Sequence, residues 1–164
     1  CTLEPTERVT ASHGLRVEPD ATLDARDPDL LLVPGGGWTD PDSPGVRREY
    51  DDGAIPDAVA SAHRDGVTVA SVCTGAMLLS KAGVLDGRPV ATHAAAEPDL
   101  RATSADVRDA RVVDDGDVLT CGGVTSGLDL AVHLVDRDFG TEVAAQVTRE
   151  MEYEPSTDVH RTRH

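Results

Sequence analysis

The chain has 164 residues, enough for one domain with a substantial core. It carries 30 acidic against 15 basic residues, a formal net charge of -15, and Lys81 is its only lysine. Such a surface repels nucleic acid and anionic membranes, so neither is an expected partner.

In chain order, residues 1–20 hold short strand-like pieces around Val9 and Leu15–Val17, separated by the turn-prone Ser12-His13-Gly14. Asp29–Val33, DLLLV, is an apolar run cut off by Pro34 and three glycines, Gly35 to Gly37. It predicts a central parallel strand feeding a loop whose backbone can approach a ligand closely. No G-K-[ST] follows, so the loop is not a P-loop, and many such loops are simply tight turns. Pro41–Gly53 is polar, rich in Pro and Asp, and predicts surface loop. Trp38 beside it either lines a pocket or pins the loop to the body, and pinning is favoured.

Ile55, Ala58, Val59 and Ala62 recur at helical spacing, predicting a helix over 55–64 that Gly66 ends. Val67, Val69 and Val72 then mark a buried strand, and Ala76–Leu79 are good helix formers. After Gly83, Pro89–Thr92 reads as another strand, with His93 at its end. Residues 94–102 read as a helix interrupted near Pro98. Val112-Val113, the turn Asp114-Asp115-Gly116-Asp117 and Val118–Thr120 form the clearest hairpin signal. Thr125 or Ser126 can cap a helix over 127–138, with Asp129 in its first turn as a structural carboxylate. Gly140 separates it from a last helix reaching Tyr153. The tail 156–164 is expected to fray, with His160 and His164 solvated.

Cys73 falls at the junction of the 67–72 strand and the helix that follows. A thiol there stands at the carboxyl edge of a parallel sheet, where open α/β folds bind ligands. It also meets a helix N-terminus, which favours the thiolate and hence nucleophilic attack. The alternative reading is a small buried thiol that ends a core strand.

The cysteines, Cys1, Cys73 and Cys121, are odd in number and far apart. They indicate neither a disulfide framework nor a zinc site, and no cofactor or metal is expected. No apolar stretch approaches membrane-spanning length and no signal peptide is evident, so cytoplasm is the default location. The acidic excess is mainly Asp and is dispersed along the chain. That is the pattern of proteins adapted to high salt, where screening falls to about 3 Å at molar concentration.

The blocks VPGGGW, SVCTGAMLLSKAGVLDGRPVATH, VVDDGDVLTCGGVTSGLDLAVHLV and TREMEYEP occur in this order. Together they resemble the ThiJ/PfpI superfamily, which is class I glutamine amidotransferase-like. Within it they are most similar to the branch containing isonitrile hydratase and the sensor domains of AraC-type regulators. The resemblance covers nearly the whole chain, read as a single domain over 1–164. It implies an α/β, flavodoxin-like three-layer sandwich with a mostly parallel sheet, a cysteine at a strained strand–helix elbow, and a homodimer.

By the same resemblance Cys73 matches the nucleophile, and Thr74 supplies a backbone N–H and its hydroxyl to the site. Gly36 matches a loop glycine offering a second N–H to an anion, and His93 the histidine near the nucleophile. Two fixed donors of that kind are worth about 3–4 kcal/mol to an oxyanion. A second reading of His93 is a strand-end residue bonded to backbone. PfpI-type proteases carry His directly after the cysteine; Thr74 stands there, which disfavours a protease. The resemblance also implies a strand and helix of roughly 30 residues ahead of the chain's first strand. They would carry an acidic residue with no counterpart in 1–164.

Two functional classes follow. One is a lyase acting on a small molecule, like isonitrile hydratase. The other is a non-catalytic small-molecule sensor or a stress-protective member of the superfamily.

Overall fold

The computed structural model describes residues 1–25 and 28–162. Among these residues the strands are β1 (Val9–Thr10), β2 (Arg16–Val17), β3 (Leu30–Val33), β4 (Thr68–Val72), β5 (Pro89–Val90), β6 (Asp106–Val107), β7 (Val112–Asp114), β8 (Val118–Cys121) and β9 (Val159–Arg161). The α-helices are α1 (Val46–Asp52), α2 (Ala54–Arg64), α3 (Ala76–Lys81), α4 (Glu97–Arg101), α5 (Ser126–Phe139) and α6 (Thr141–Glu150).

The main sheet has the order β3-β4-β8-β7-β9. β3, β4 and β8 run parallel, β7 pairs antiparallel with β8, and β9 pairs parallel with β7. Alternation along β4 sends Val69 to one face and Ala70 to the other, and each face builds its own core. Val33, Val59, Val69, Met77, Leu79, Leu85 and Leu100 fill the face covered by α1 to α4. Ala70, Val112, Leu119, Cys121 and Leu130 fill the face under α5. The result is the expected flavodoxin-like three-layer α/β sandwich with a mostly parallel sheet.

Several local expectations need correction. β3 is an edge strand among the described residues, not a central one, and Leu32 on it is 49% exposed. A run of three leucines reads as buried on both faces, but composition cannot show which neighbours a strand acquires. The segment 41–53 is not all loop. Val46–Asp52 is helical, anchored by Val46, the one fully buried residue of the segment, and a single buried position is too little to make a period. Pro98 does not interrupt a helix; it sits at the start of α4, where its missing N–H costs nothing. The strand after Gly87 is only Pro89–Val90 and pairs with β6, outside the main sheet.

α5 begins at Ser126, and neither Thr125 nor Ser126 caps it through a side chain. α6 stops at Glu150, short of Tyr153. The tail does not fray through to its end: Val159–Arg161 adds β9 to the sheet edge, with Asp158 accepting the Arg111 N–H at 3.0 Å. His160 is half-buried in that strand, and His164 lies outside the described residues.

Candidate functional site

The site is built where the carboxyl ends of β3 and β4 meet. β4 ends at Val72, and a single 3₁₀ turn, Cys73–Gly75, leads into α3. Cys73 has φ of 61°. A non-glycine residue there is strained by about 1–3 kcal/mol, so its surroundings must hold it in place. Three contacts do so. The Cys73 N–H donates to the Gly122 carbonyl at 3.0 Å, continuing the β4–β8 ladder past its last pair. The Thr92 hydroxyl donates to the Cys73 carbonyl at 2.9 Å. Gly35 packs so tightly that a Cβ on it would lie 2.7 Å from the Cys73 Cβ. Gly75 is confined in the same way, since a Cβ there would lie 2.5 Å from the Val33 carbonyl oxygen. The two glycines let the chain crossings after β3 and β4 pass almost in backbone contact.

Thr74 is buried and tied to Gly36 twice. Its hydroxyl donates to the Gly36 carbonyl at 2.7 Å and accepts the Gly36 N–H at 2.9 Å. The two residues expected to offer donors to an anion are therefore bonded to one another. The glycine loop is braced further along, where the Arg47 N–H donates to the Gly37 carbonyl at 3.0 Å. Trp38 is a pin, as favoured from the sequence. It is buried, donates from Nε1 to Asp99 at 2.7 Å, meets Tyr50 edge-on and lies under the Arg47 guanidinium at 5.0 Å.

His93 follows a segment hung on both inner strands. The Ala91 N–H donates to the Thr120 hydroxyl at 2.8 Å, and Thr92 holds Cys73. The His93 carbonyl accepts the Ala96 N–H at 2.9 Å, and its Nδ1 accepts the Ala95 N–H at 3.0 Å. A neutral His93 thus carries its proton on Nε2. The ring lies over Gly123, where a Cβ would come within 2.7 Å of Cδ2. His93 is bonded to backbone, as its second reading held, and its ring packs over Gly123, next to the Gly122 carbonyl that receives the Cys73 N–H.

Sequence reasoning passed over the supporting residues Gly35, Gly75, Thr92 and Gly122. Three are glycines and one is a threonine, types common in any loop, so only their close approaches and hydrogen bonds distinguish them. Cys121, buried beside the elbow, is held as a thiol: burial pushes its pKa up to about 12. Asp129 is structural. It accepts from Arg111 Nε at 2.7 Å, the Tyr153 hydroxyl at 2.8 Å and the Ser156 N–H at 2.7 Å. Burial alone would raise its pKa, but these donors outweigh it and hold the carboxyl below the usual range.

A cavity of about 560 Å³ lies between α5, α6 and residues 155–161, and Cys73 does not line it. No group of three or more His, Cys, Asp or Glu among the described residues could hold a metal ion. No helix among them is long and apolar enough to cross a membrane.

A mostly parallel α/β sheet with a left-handed cysteine between strand and helix, beside a glycine loop, is the strand–helix elbow that the sequence led one to expect. The DJ-1/PfpI family model matches residues 2–137, and the chain belongs to that family. It is 36% identical over 149 residues to the isonitrile hydratase of Pseudomonas putida, covering 90% of this chain and 62% of that protein. It is 31% identical over 152 residues to the HTH-type transcriptional regulator GbdR of Pseudomonas aeruginosa, covering 90% of this chain and 39% of the regulator. A crystal structure of a ThiJ/PfpI family protein from Pseudomonas syringae superposes with a TM-score of 0.75 at 29% identity. That match covers 94% of this chain and 61% of the other.

Proposed function

We propose that the domain is a lyase of the isonitrile hydratase type, with Cys73 as its nucleophile. The observation that carries this reading is the left-handed Cys73 between β4 and α3, supported by the likeness to the Pseudomonas putida enzyme. In the proposed reaction the Cys73 thiolate adds to the terminal carbon of R–N≡C, and that carbon takes a proton. Water then adds to the resulting thioimidate carbon, and the C–S bond breaks. The thiolate returns and R–NH–CHO leaves.

The proton is drawn from a water held on the Nε2–H of His93, and the hydroxide left behind takes the proton released when the C–S bond breaks, while Thr74 and Gly36 supply polar contacts. The Gly36 N–H and the Thr74 hydroxyl are engaged with each other, so an anion must displace that pair to use either, whereas the Thr74 backbone N–H takes no part in it. The test is formation of the N-substituted formamide from a simple alkyl isonitrile, followed by mass spectrometry. Turnover abolished in Cys73→Ala and lowered about 10²-fold or more in His93→Ala supports the reading. Unchanged turnover in Cys73→Ala refutes it.

The likeness to GbdR favours a second reading, in which the same elbow binds a small molecule without turnover. Saturable isonitrile binding by calorimetry, with no formamide formed, supports that alternative. Under either reading we propose a cytoplasmic homodimer with a high-salt optimum. Leu128, Phe139 and Val143 are exposed along α5 and α6, and Val124 just ahead of α5, apolar surface for a second copy to cover. A clean monomer by sedimentation in molar KCl contradicts the dimer, and a melting temperature indifferent to KCl contradicts the salt dependence.

A further inference from the structure

We propose that Cys121 is the resolving thiol for Cys73, so that oxidation of the elbow ends in a reversible Cys73–Cys121 disulfide. The lyase chemistry proposed above makes no use of Cys121, although it lies fully buried beside the nucleophile. Strand register places it there. β4 and β8 are parallel neighbours in which Val72 faces Cys121, so Cys73 is one residue beyond that pair. Neighbouring strands lie about 4.8 Å apart with a rise of about 3.3 Å per residue, which puts the two cysteine Cα atoms roughly 5.8 Å apart. Disulfides span about 4.4–6.8 Å between Cα atoms.

The Cys73 N–H that donates to the Gly122 carbonyl also faces the Cys121 sulfur. Regular pleating would send Cys73 to the opposite face from Cys121. Its φ of 61° takes it out of the pleat, so strand alternation does not fix the direction of its side chain.

The chemistry balances with a peroxide as oxidant. The Cys73 thiolate attacks hydrogen peroxide: an S–O bond forms, the O–O bond breaks, and water leaves behind a sulfenic acid. The Cys121 sulfur then attacks the Cys73 sulfur. The S–S bond forms, the S–O bond breaks, and the released hydroxide leaves as water with the Cys121 proton. Burial keeps Cys121 from bulk oxidant and also keeps it a neutral thiol, which slows its attack. Proximity offsets this, since well-oriented intramolecular partners reach effective molarities of about 10⁵ M or more. Rising pH, by increasing the thiolate fraction, should speed closure.

The test treats the full chain with a small excess of hydrogen peroxide, at least about two equivalents per thiol so that the sulfinic acid is reachable, blocks free thiols, and maps peptides without reduction. The expected product is a Cys73–Cys121 linked peptide that dithiothreitol reverses and that persists in Cys1→Ser. In Cys121→Ser, Cys73 should instead proceed to the sulfinic acid that dithiothreitol cannot reverse. Three outcomes in the wild-type chain overturn the proposal: sulfinic acid on Cys73 with Cys121 still free, a Cys1–Cys73 link in place of the predicted one, or no oxidation of Cys73. The readout is mass rather than turnover, so it fails separately from the lyase reading.

Discussion

Asp117, just before β8, and Cys121, at its end, are four residues apart, and the two ends of the strand are held by opposite means. At the Asp117 end the lacing is ionic. Arg88 bonds Asp117 at 2.6 Å and Asp115 at 3.2 Å, and His63 reaches Asp117 at 2.7 Å. At the Cys121 end, beside Cys73, the lacing is backbone contact, with glycines admitting chains that any side chain would separate. Charge can be redistributed over an exposed turn with little effect. A close backbone approach cannot be relaxed without moving the strand ends. The elbow end should therefore tolerate far less substitution than the charged end, although both serve the same strand.

The largest effect expected at the elbow end follows from Gly75→Ala. Its Cβ would sit 2.5 Å from the Val33 carbonyl oxygen, backbone that has no rotamer to escape into. Denaturant unfolding should show a loss of about 3 kcal/mol or more. An effect below about 1 kcal/mol would mean that β3 and the elbow are not locked together.

Thr74→Val comes next. It preserves shape but leaves both the Gly36 N–H and carbonyl without their shared partner. A loss of about 1–3 kcal/mol is expected in the same measurement.

Strain supplies a third contrast. Cys73→Gly should be more stable than Cys73→Ala by about 1 kcal/mol, because only glycine adopts φ of 61° freely. Equal melting temperatures for the two would show that the residue is not strained.

The smallest effect belongs to the charged end. The hydrogen bond from Arg88 holds Asp117 at a pKa of about 2, with His63 adding to it against a modest opposing contribution from burial. A depressed folded-state pKa contributes stability above the unfolded value near 3.8. That contribution is lost as pH falls through about 2. Asp117 is half exposed, so screening limits the contribution to less than about 1 kcal/mol. Asp117→Asn should cost that much at pH 7, and the gap to wild type should close towards pH 2 in urea titrations. A gap that stays constant with pH would remove the ionic account.

The same contrast explains what the sequence disclosed. The hairpin, the helix over 54–64 and the strand before Cys73 were legible because each buries side chains in a period that composition displays. The blocks around Cys73 also carried the family. The edge position of β3, the helix at 46–52 and the strand at 159–161 were not legible. Each depends on neighbours far along the chain rather than on its own pattern. Within the site, Cys73 was visible from its place between apolar strand and helix formers. The mutual bonding of Thr74 with Gly36 was not, because spacing can bring two donors together without saying whether they satisfy one another.

The central claim is that the strained elbow makes Cys73 the thiol open to reagents in solution, beside a Cys121 that burial shields from them. Cys1 is also exposed, so the direct test uses Cys1→Ser. Brief treatment of that folded variant with iodoacetamide, followed by peptide mapping, should label Cys73 at least about tenfold faster than Cys121, since burial holds the latter protonated at a pKa of about 12. Labelling of Cys121 first, or of both at equal rates, would contradict the account.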